Sequence, residues 1–361
     1  MNFLLSEEQH ALVDTVKSLL RDKCDPVRVH RIFDTPGDAR FDAELWAALV
    51  EMGIPAIMVP EEHGGLGLEL IDLAIVAEAL GHAAAPVPFF GHVLATLAIS
   101  LGGSAAQKAR WLPALSSGEK LATIAFGEGK AHWMPEEWAI SAAGGITGTK
   151  ILVPNAAEAD LIVVGVAEGL AVVEKGAAYT CSRQDSADRT RPVDTVTFAG
   201  AEAELLESGK AAADRVADAA AALLAADAFG GAERCVEMSV EYAKVREQYG
   251  QPIAGFQGLR YQLVAMELRT EPSRGLYWFG AHAWDALPEK ARHAAAQAKA
   301  HLTDTYLQVT RDTVEAHGGI GFTWEHDAHL FFKRARSISS MLGDSQWHRE
   351  QIAAQILDVA A

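Results

Sequence analysis

The chain has 361 residues, of which 50% are hydrophobic and 22% charged, and a formal net charge of −17 at pH 7. This length allows two or three domains around a large core, and the composition is that of an ordinary globular protein. The acidic balance argues against a nucleic-acid or anionic-membrane surface, which needs clustered Lys and Arg; an anionic ligand requires a local site that overcomes the field.

Residues 1–8 contain neither a basic region nor a long apolar stretch, so no signal peptide is expected. From Ser6 to about Lys120 the apolar residues recur at helical spacing, which predicts helices over 5–20, 42–52, 70–80, 93–101 and 104–115. Ser6, with Glu8 and Gln9 close behind, suits a helix cap. Pro60-Glu61-Glu62-His63-Gly64-Gly65 and Pro86-Val87-Pro88 read as turns. The small residues at 83–85 either leave room for a bulky ligand or let helices pack closely.

Between about 121 and 206 the pattern changes to short β-branched or alternating runs. Strands are predicted over 122–126, 138–142, 146–153, 160–166, 171–173 and 195–198, at the close spacing of an all-β unit. Helical periodicity returns over 211–245, 257–287, 288–316 and 326–341, with a last helix from Asp344; the alanine-rich stretch 211–228 is helix by propensity. The order gives an α+β fold, mainly α, with an N-terminal helical domain (1–120), a central β domain (121–206) and a C-terminal helical bundle (207–361). Cys24, Cys181 and Cys235 form no CxxC pair and read as isolated thiols of a reducing, cytoplasmic compartment. His63 reads as a turn residue, and His317, His326 and His329 as interfacial or helix-surface groups that make no metal set.

Four segments in order resemble the acyl-CoA dehydrogenase family and span nearly the whole chain. They are Met52-Gly53-Ile54 through Val59-Pro60-Glu61-Glu62-His63-Gly64-Gly65-Leu66-Gly67; Arg246-Glu247-Gln248-Tyr249-Gly250-Gln251-Pro252-Ile253 with Phe256-Gln257; His317-Gly318-Gly319-Ile320-Gly321-Phe322-Thr323-Trp324-Glu325-His326-Asp327; and Arg334-Ala335-Arg336 leading to Gly343 and Arg349. The resemblance implies the family fold, with a β-barrel-like middle and a C-terminal four-helix bundle. It also implies a tetramer that binds FAD across subunit boundaries and an acyl-CoA substrate. A carboxylate would remove the α-proton, and electron-transfer flavoprotein is the expected electron acceptor.

On this resemblance Arg246 occupies the place of a pyrophosphate-binding arginine, and Gln257 that of an adenosine contact. Gln248 and Tyr249 belong to the same segment, and Gly318-Gly319 would let backbone N–H groups approach phosphate oxygens. Alternatively, Arg246 pairs with Glu241 or Glu247, and the glycines merely cap a helix. Glu315 departs from the family's usual Gln. A carboxylate ~4 Å from a phosphate costs on the order of 4 kcal/mol at an effective dielectric near 20, which Arg260 or protonation of Glu315 would offset in part.

The flavin-ring half departs further. Phe126-Gly127-Glu128-Gly129-Lys130 stands where the family has Thr-Glu-Pro followed by Gly-Ser-Asp, and Leu152 and Pro154 replace an aromatic-x-Thr. Proline has no N–H to donate, and leucine cannot stack as an indole does. The two positions where relatives place the catalytic Glu are Leu342 and Ala220. Nearby, Asp218 reads as a solvated helix residue and Asp344 as a helix N-cap. No catalytic residue is assigned. The pattern resembles the non-catalytic subunit of α2β2 acyl-CoA dehydrogenases of the steroid side-chain-degrading type, with a homologous subunit as partner. An independent oxidase- or monooxygenase-like flavoenzyme and a purely structural subunit are the alternatives.

Overall fold

The computed structural model of the chain describes residues 4–35, 41–129 and 133–359. Six helices come first: α1 (Glu7–Lys23), α2 (Pro26–Phe33), α3 (Ala43–Glu51), α4 (Leu70–His82), α5 (Phe89–Gly102) and α6 (Ala105–Ser116). Ser6 caps α1 as its sequence predicts, with Ser6 Oγ accepting from the Gln9 N–H and Gln9 Oε1 accepting from the Ser6 N–H. The periodicity does not anticipate α2. Its start is nevertheless written in the sequence, since Asp25 accepts from the Arg28 N–H and Pro26 takes the first helical position.

Seven strands follow: β1 (Ala122–Ala125), β2 (Ile146–Pro154), β3 (Leu161–Val166), β4 (Gly169–Glu174), β5 (Tyr179–Arg183), β6 (Val193–Ala201) and β7 (Glu204–Leu205). They form a sheet ordered β1-β3-β4-β7, in which β1 and β3 are parallel, and a sheet ordered β2-β6-β5. Ile146, Val164, Val173 and Phe198 belong to the small core of this unit. The strand expected over 138–142 does not form. The N–H groups of Ala139 and Ile140 donate to the Glu128 carboxylate, at 2.9 and 3.3 Å, rather than to a neighbouring strand.

The remainder is α7 (Gly209–Val245), a hairpin of β8 (Glu247–Gln248) and β9 (Gln251–Pro252), then α8 (Gln257–Thr270), α9 (Arg274–Ala286), α10 (Pro288–His317), α11 (Ala328–Ser340) and α12 (Ser345–Val359). The single helix expected over 257–287 is divided at Glu271–Ser273, where Pro272 cannot donate to the preceding turn. At 37 residues α7 runs about 55 Å and forms the spine of the molecule, packing on α4, α5, α9 and α10. Its crossing with α4 is backbone against backbone. A Cβ on Gly230 would lie 1.9 Å from the Glu78 carbonyl oxygen, and one on Gly81 would lie 2.2 Å from that of Asp227. No described helix is long and apolar enough to cross a membrane.

Candidate functional site

The ends of α7 and α10 and the start of α8 meet at one end of the helical bundle. Tyr242, in the last turn of α7, stacks on His317 at the end of α10 with ring centroids 4.5 Å apart, and Gln262 of α8 donates to Glu315 at 3.3 Å. Arg246 follows as the C-cap of α7 in extended conformation, with its N–H donating to the Tyr242 carbonyl. Its guanidinium is exposed and has no ion-pair partner among the described residues; Glu241, the expected alternative partner, lies 3.6 Å from Arg234 instead. The hairpin turns through Tyr249 and Gly250, both at positive φ, as a two-residue turn requires, and it leaves Tyr249 94% exposed. Gln248 donates to its neighbour's carbonyl, and Gln257 donates to the Tyr261 hydroxyl at 2.7 Å.

Gly318 has φ +63° and ψ −138°, a conformation open to glycine, and begins the 3-10 turn Gly318–Phe322. Gly318 and Gly319 are both exposed, and a Cβ on either would meet nothing within 4 Å. Arg260 does not counter Glu315 as the sequence suggested: its Nε donates to the Ala254 carbonyl at 2.6 Å, and Gln262 meets Glu315. His317 and His329 are buried rather than on the helix surface. His317 packs against Tyr242 and His326, and His329 stacks on Trp324, so desolvation lowers the pKa of all three histidines.

The positions without an acid are packed shut. Leu342 is 3% exposed and Ala220 is fully buried. The Leu342–Gly343 turn, at φ +55° and +86°, is held by two buried groups that no sequence motif marks. Lys299 Nζ donates to the carbonyls of Ile338 (3.0 Å) and Gly343 (3.1 Å), and His348 Nε2 lies 2.8 Å from the Leu342 carbonyl. Burial lowers Lys299 to about 7 and His348 to about 3. Asp344 caps α12 as expected, accepting from the Trp347 N–H at 2.8 Å. Asp218 departs from expectation. It is 9% exposed, and burial pushes its carboxyl up to about 7. Residues two apart lie about 200° apart around a helix, so Asp218 and Ala220 face different sides of α7.

Profiles of the acyl-CoA dehydrogenase N-terminal and C-terminal domains match residues 6–119 and 207–357. This chain belongs to the acyl-CoA dehydrogenase family. The acyl-CoA dehydrogenase IpdE2 of Mycolicibacterium smegmatis is 30% identical, covering 98% of this chain and 100% of that protein. IpdE2 of Mycobacterium tuberculosis is 32% identical over 93% of each. A solved variant of the Tcur3481-Tcur3483 steroid ACAD superposes with a TM-score of 0.89 at 27% identity, covering 98% of this chain and 99% of that one.

In this member of the family the β-unit segments that depart from the family pattern hold internal contacts. Glu128 bridges to Lys150, with Lys150 Nζ 2.6 Å from Glu128 Oε1 and 3.2 Å from the Phe126 carbonyl. Lys150 is wholly buried beside Trp138, and desolvation lowers it to about 8 against the pull of Glu128. Just beyond, β2 is irregular, and Leu152 sits at φ +52°. Lys130 lies outside the described residues. Arg334 is a buried strut: it clasps Asp227 through two bonds, of 3.0 and 2.5 Å, and donates to Thr190 at 2.9 Å. Despite burial, Arg191 and Arg334 hold the Asp227 carboxyl low. An exposed apolar face on α8, formed by Tyr261, Val264 and Leu268, is not among the features expected from the sequence. The helical spacing was visible, but α8 also buries Leu263 and Met266 on its other side. His82, Glu233 and Glu237 bring three ligand-type atoms together, but both acids already meet arginines, Glu233 with Arg274 at 2.6 Å and Glu237 with Arg234 at 3.3 Å. No metal is assigned there.

Proposed function

We propose that this chain is the non-catalytic subunit of a heteromeric, FAD-dependent acyl-CoA dehydrogenase. On this reading it grips the ADP half of a flavin whose ring, base and acyl-CoA belong mainly to a homologous partner. One observation carries the proposal: both places where the family puts its carboxylate hold buried apolar residues, Leu342 and Ala220. With neither of these places carrying an acid, the α-proton of a thioester loses the family's usual acceptor, a loss of roughly 10²–10⁴-fold.

The donor set fits a pyrophosphate. Arg246 offers an exposed guanidinium without an internal ion-pair partner among the described residues, and the open Gly318-Gly319 turn offers close backbone approach. Gln257, and with it Gln248 and Tyr249 of the exposed hairpin, would contact the adenosine side. The ring half does not fit, because the Glu128–Lys150 pair, Leu152 and Pro154 offer neither a stacking indole nor the hydroxyl donors. Bound FAD supplies the hydride acceptor, and electron-transfer flavoprotein is the acceptor expected beyond it. The exposed α8 face is suited to cover by a partner subunit. The solved relative's name, which joins two gene products with the words steroid ACAD, supports a paired assembly and a bulky polycyclic acyl group.

The test is purification of the chain alone and together with a homologous subunit that retains the acid. Flavin absorbance and its bleaching by acyl-CoA should accompany the pair only. Stoichiometric flavin in the lone chain, reduced there by acyl-CoA, would refute the proposal. Glu315, beside the glycine turn, favours a second reading, a purely structural subunit. In that case Arg246→Ala would leave the flavin content of the pair unchanged.

A further inference from the structure

We infer that Trp133 and Trp138 form a built-in stopper: their indoles fill the place on this chain where a flavin ring would lie, so that this subunit's own ring place stays closed. The inference rests on the function proposed above, in which the ring half of the family's site falls to residues 126–130 and 152–154. Both indoles are 5% exposed and belong to the core shared with the helices, not to the small core of the β unit. They lie at the junction of the β unit with the helices.

Two glycines record how closely the indoles sit on the segments that would hold the ring. A Cβ on Gly127 would come within 2.9 Å of Trp133 Cζ3 and 3.0 Å of the Ile151 carbonyl oxygen, so any side chain there would meet both the indole and β2. A Cβ on Gly165 would lie 2.5–2.6 Å from Cε2, Cδ2 and Cζ2 of Trp138, so β3 presents bare backbone to that ring. Phe126 packs on the other indole contact, with its centroid 5.0 Å from that of Trp138. The segment is tied down by carboxylates. Glu137 accepts from the N–H groups of Trp133 and Met134, at 2.9 and 3.1 Å, as Glu128 does from those of Ala139 and Ile140. Trp138 Nε1 donates to the Trp133 carbonyl at 3.2 Å. Trp133 Nε1, by contrast, is buried with no hydrogen-bond partner among the described residues, although a buried indole N–H usually finds one. An indole kept at that expense is kept for its volume. At Pro154 the space left between β2 and the helices α5 and α11 is about 10 Å³, room for about one water. A flavin ring does not fit there.

The experiment is thermal melting of the full-length Trp133→Ala chain with lumiflavin and with indole, beside the wild type. Lumiflavin carries the ring system without a nucleotide tail, so the outcome does not depend on Arg246. A vacated ring place should admit lumiflavin and raise the melting temperature of the variant saturably, by ~2 °C or more, while the wild type does not respond. Rescue by indole alone would reveal a void shaped for one side chain, and overturns the inference. A variant that ignores both ligands, or a wild type that responds to lumiflavin as the variant does, overturns it too. Should Trp133→Ala fail to fold, Trp133→Leu keeps an apolar side chain in the core and is read by the same comparison. Flavin bound to the lone wild type would sink the function proposed above; a flavin-free wild type whose variant ignores lumiflavin would sink the stopper alone.

Discussion

At the end of α7 the Arg246 guanidinium reaches into solvent although Glu241 and Glu247 are close in sequence. A side chain that stabilises nothing internally can be removed cheaply, so Arg246→Ala should change the chain's own unfolding free energy by less than ~0.5 kcal/mol. In the paired assembly it should lower flavin affinity roughly 10- to 100-fold, as expected for a charge-assisted hydrogen bond; fluorescence titration of the deflavinated pair reads this. Lys299 offers a pH test. The folded protein releases its proton near pH 7, whereas the unfolded chain holds it to about 10.5. Between those values the unfolded state binds more protons, so stability rises with pH. From pH 7 to pH 9 the wild type should gain as much as about 2 kcal/mol relative to Lys299→Met, measured by urea unfolding at both values. Residues whose roles are local were legible in the sequence, among them Ser6 as a cap and Asp344 as an N-cap. The partners of Lys150, Lys299 and Arg334 lie 22, 39 and 107 residues away in sequence, and no periodicity records contacts of that kind. Asp218 was misread for the same reason: an acid between alanines looks solvated until α7 is seen enclosed by its neighbours.

Among the elements, α7 and α10 were plain from periodicity because they are long, whereas the eight residues of α2 repeat too few times to be seen that way. The loop after Pro135–Glu137 reads as strand because Trp138 and Ile140 alternate with smaller residues; Glu128 instead takes the N–H groups that a strand would pair. The α4–α7 crossing was written as two glycines, Gly81 and Gly230, whose meaning depends on the opposing backbone. Gly230→Ala places a methyl 1.9 Å from the Glu78 carbonyl, so the helices must separate. A destabilisation of about 3 kcal/mol is expected from such overpacking despite alanine's better helix propensity, and a lowered urea midpoint would register it.

For the whole molecule, the helix–strand–helix order and the family fold were legible, because four short segments kept their order and spacing across nearly the entire chain. What the chain does with that fold is carried by replaced residues rather than by the architecture. Assembly is also a property of this scale. On α8, Val264 and Leu268 contribute exposed apolar surface, and Leu268 is 67% exposed. Val264→Lys with Leu268→Glu should leave the melting of the chain within ~0.5 kcal/mol while shifting its light-scattering mass toward smaller species.

The uninterrupted course of α7 has one more consequence. Ala220, about a third of the way along, and Arg246, the C-cap, are held about 39 Å apart on a single rod at ~1.5 Å per residue. On the proposed reading, the place of the missing acid and the nucleotide grip then serve two different flavins, each shared with the partner. If that reading holds, a duplicated copy can lose its acid while the distant nucleotide grip continues to serve its sibling.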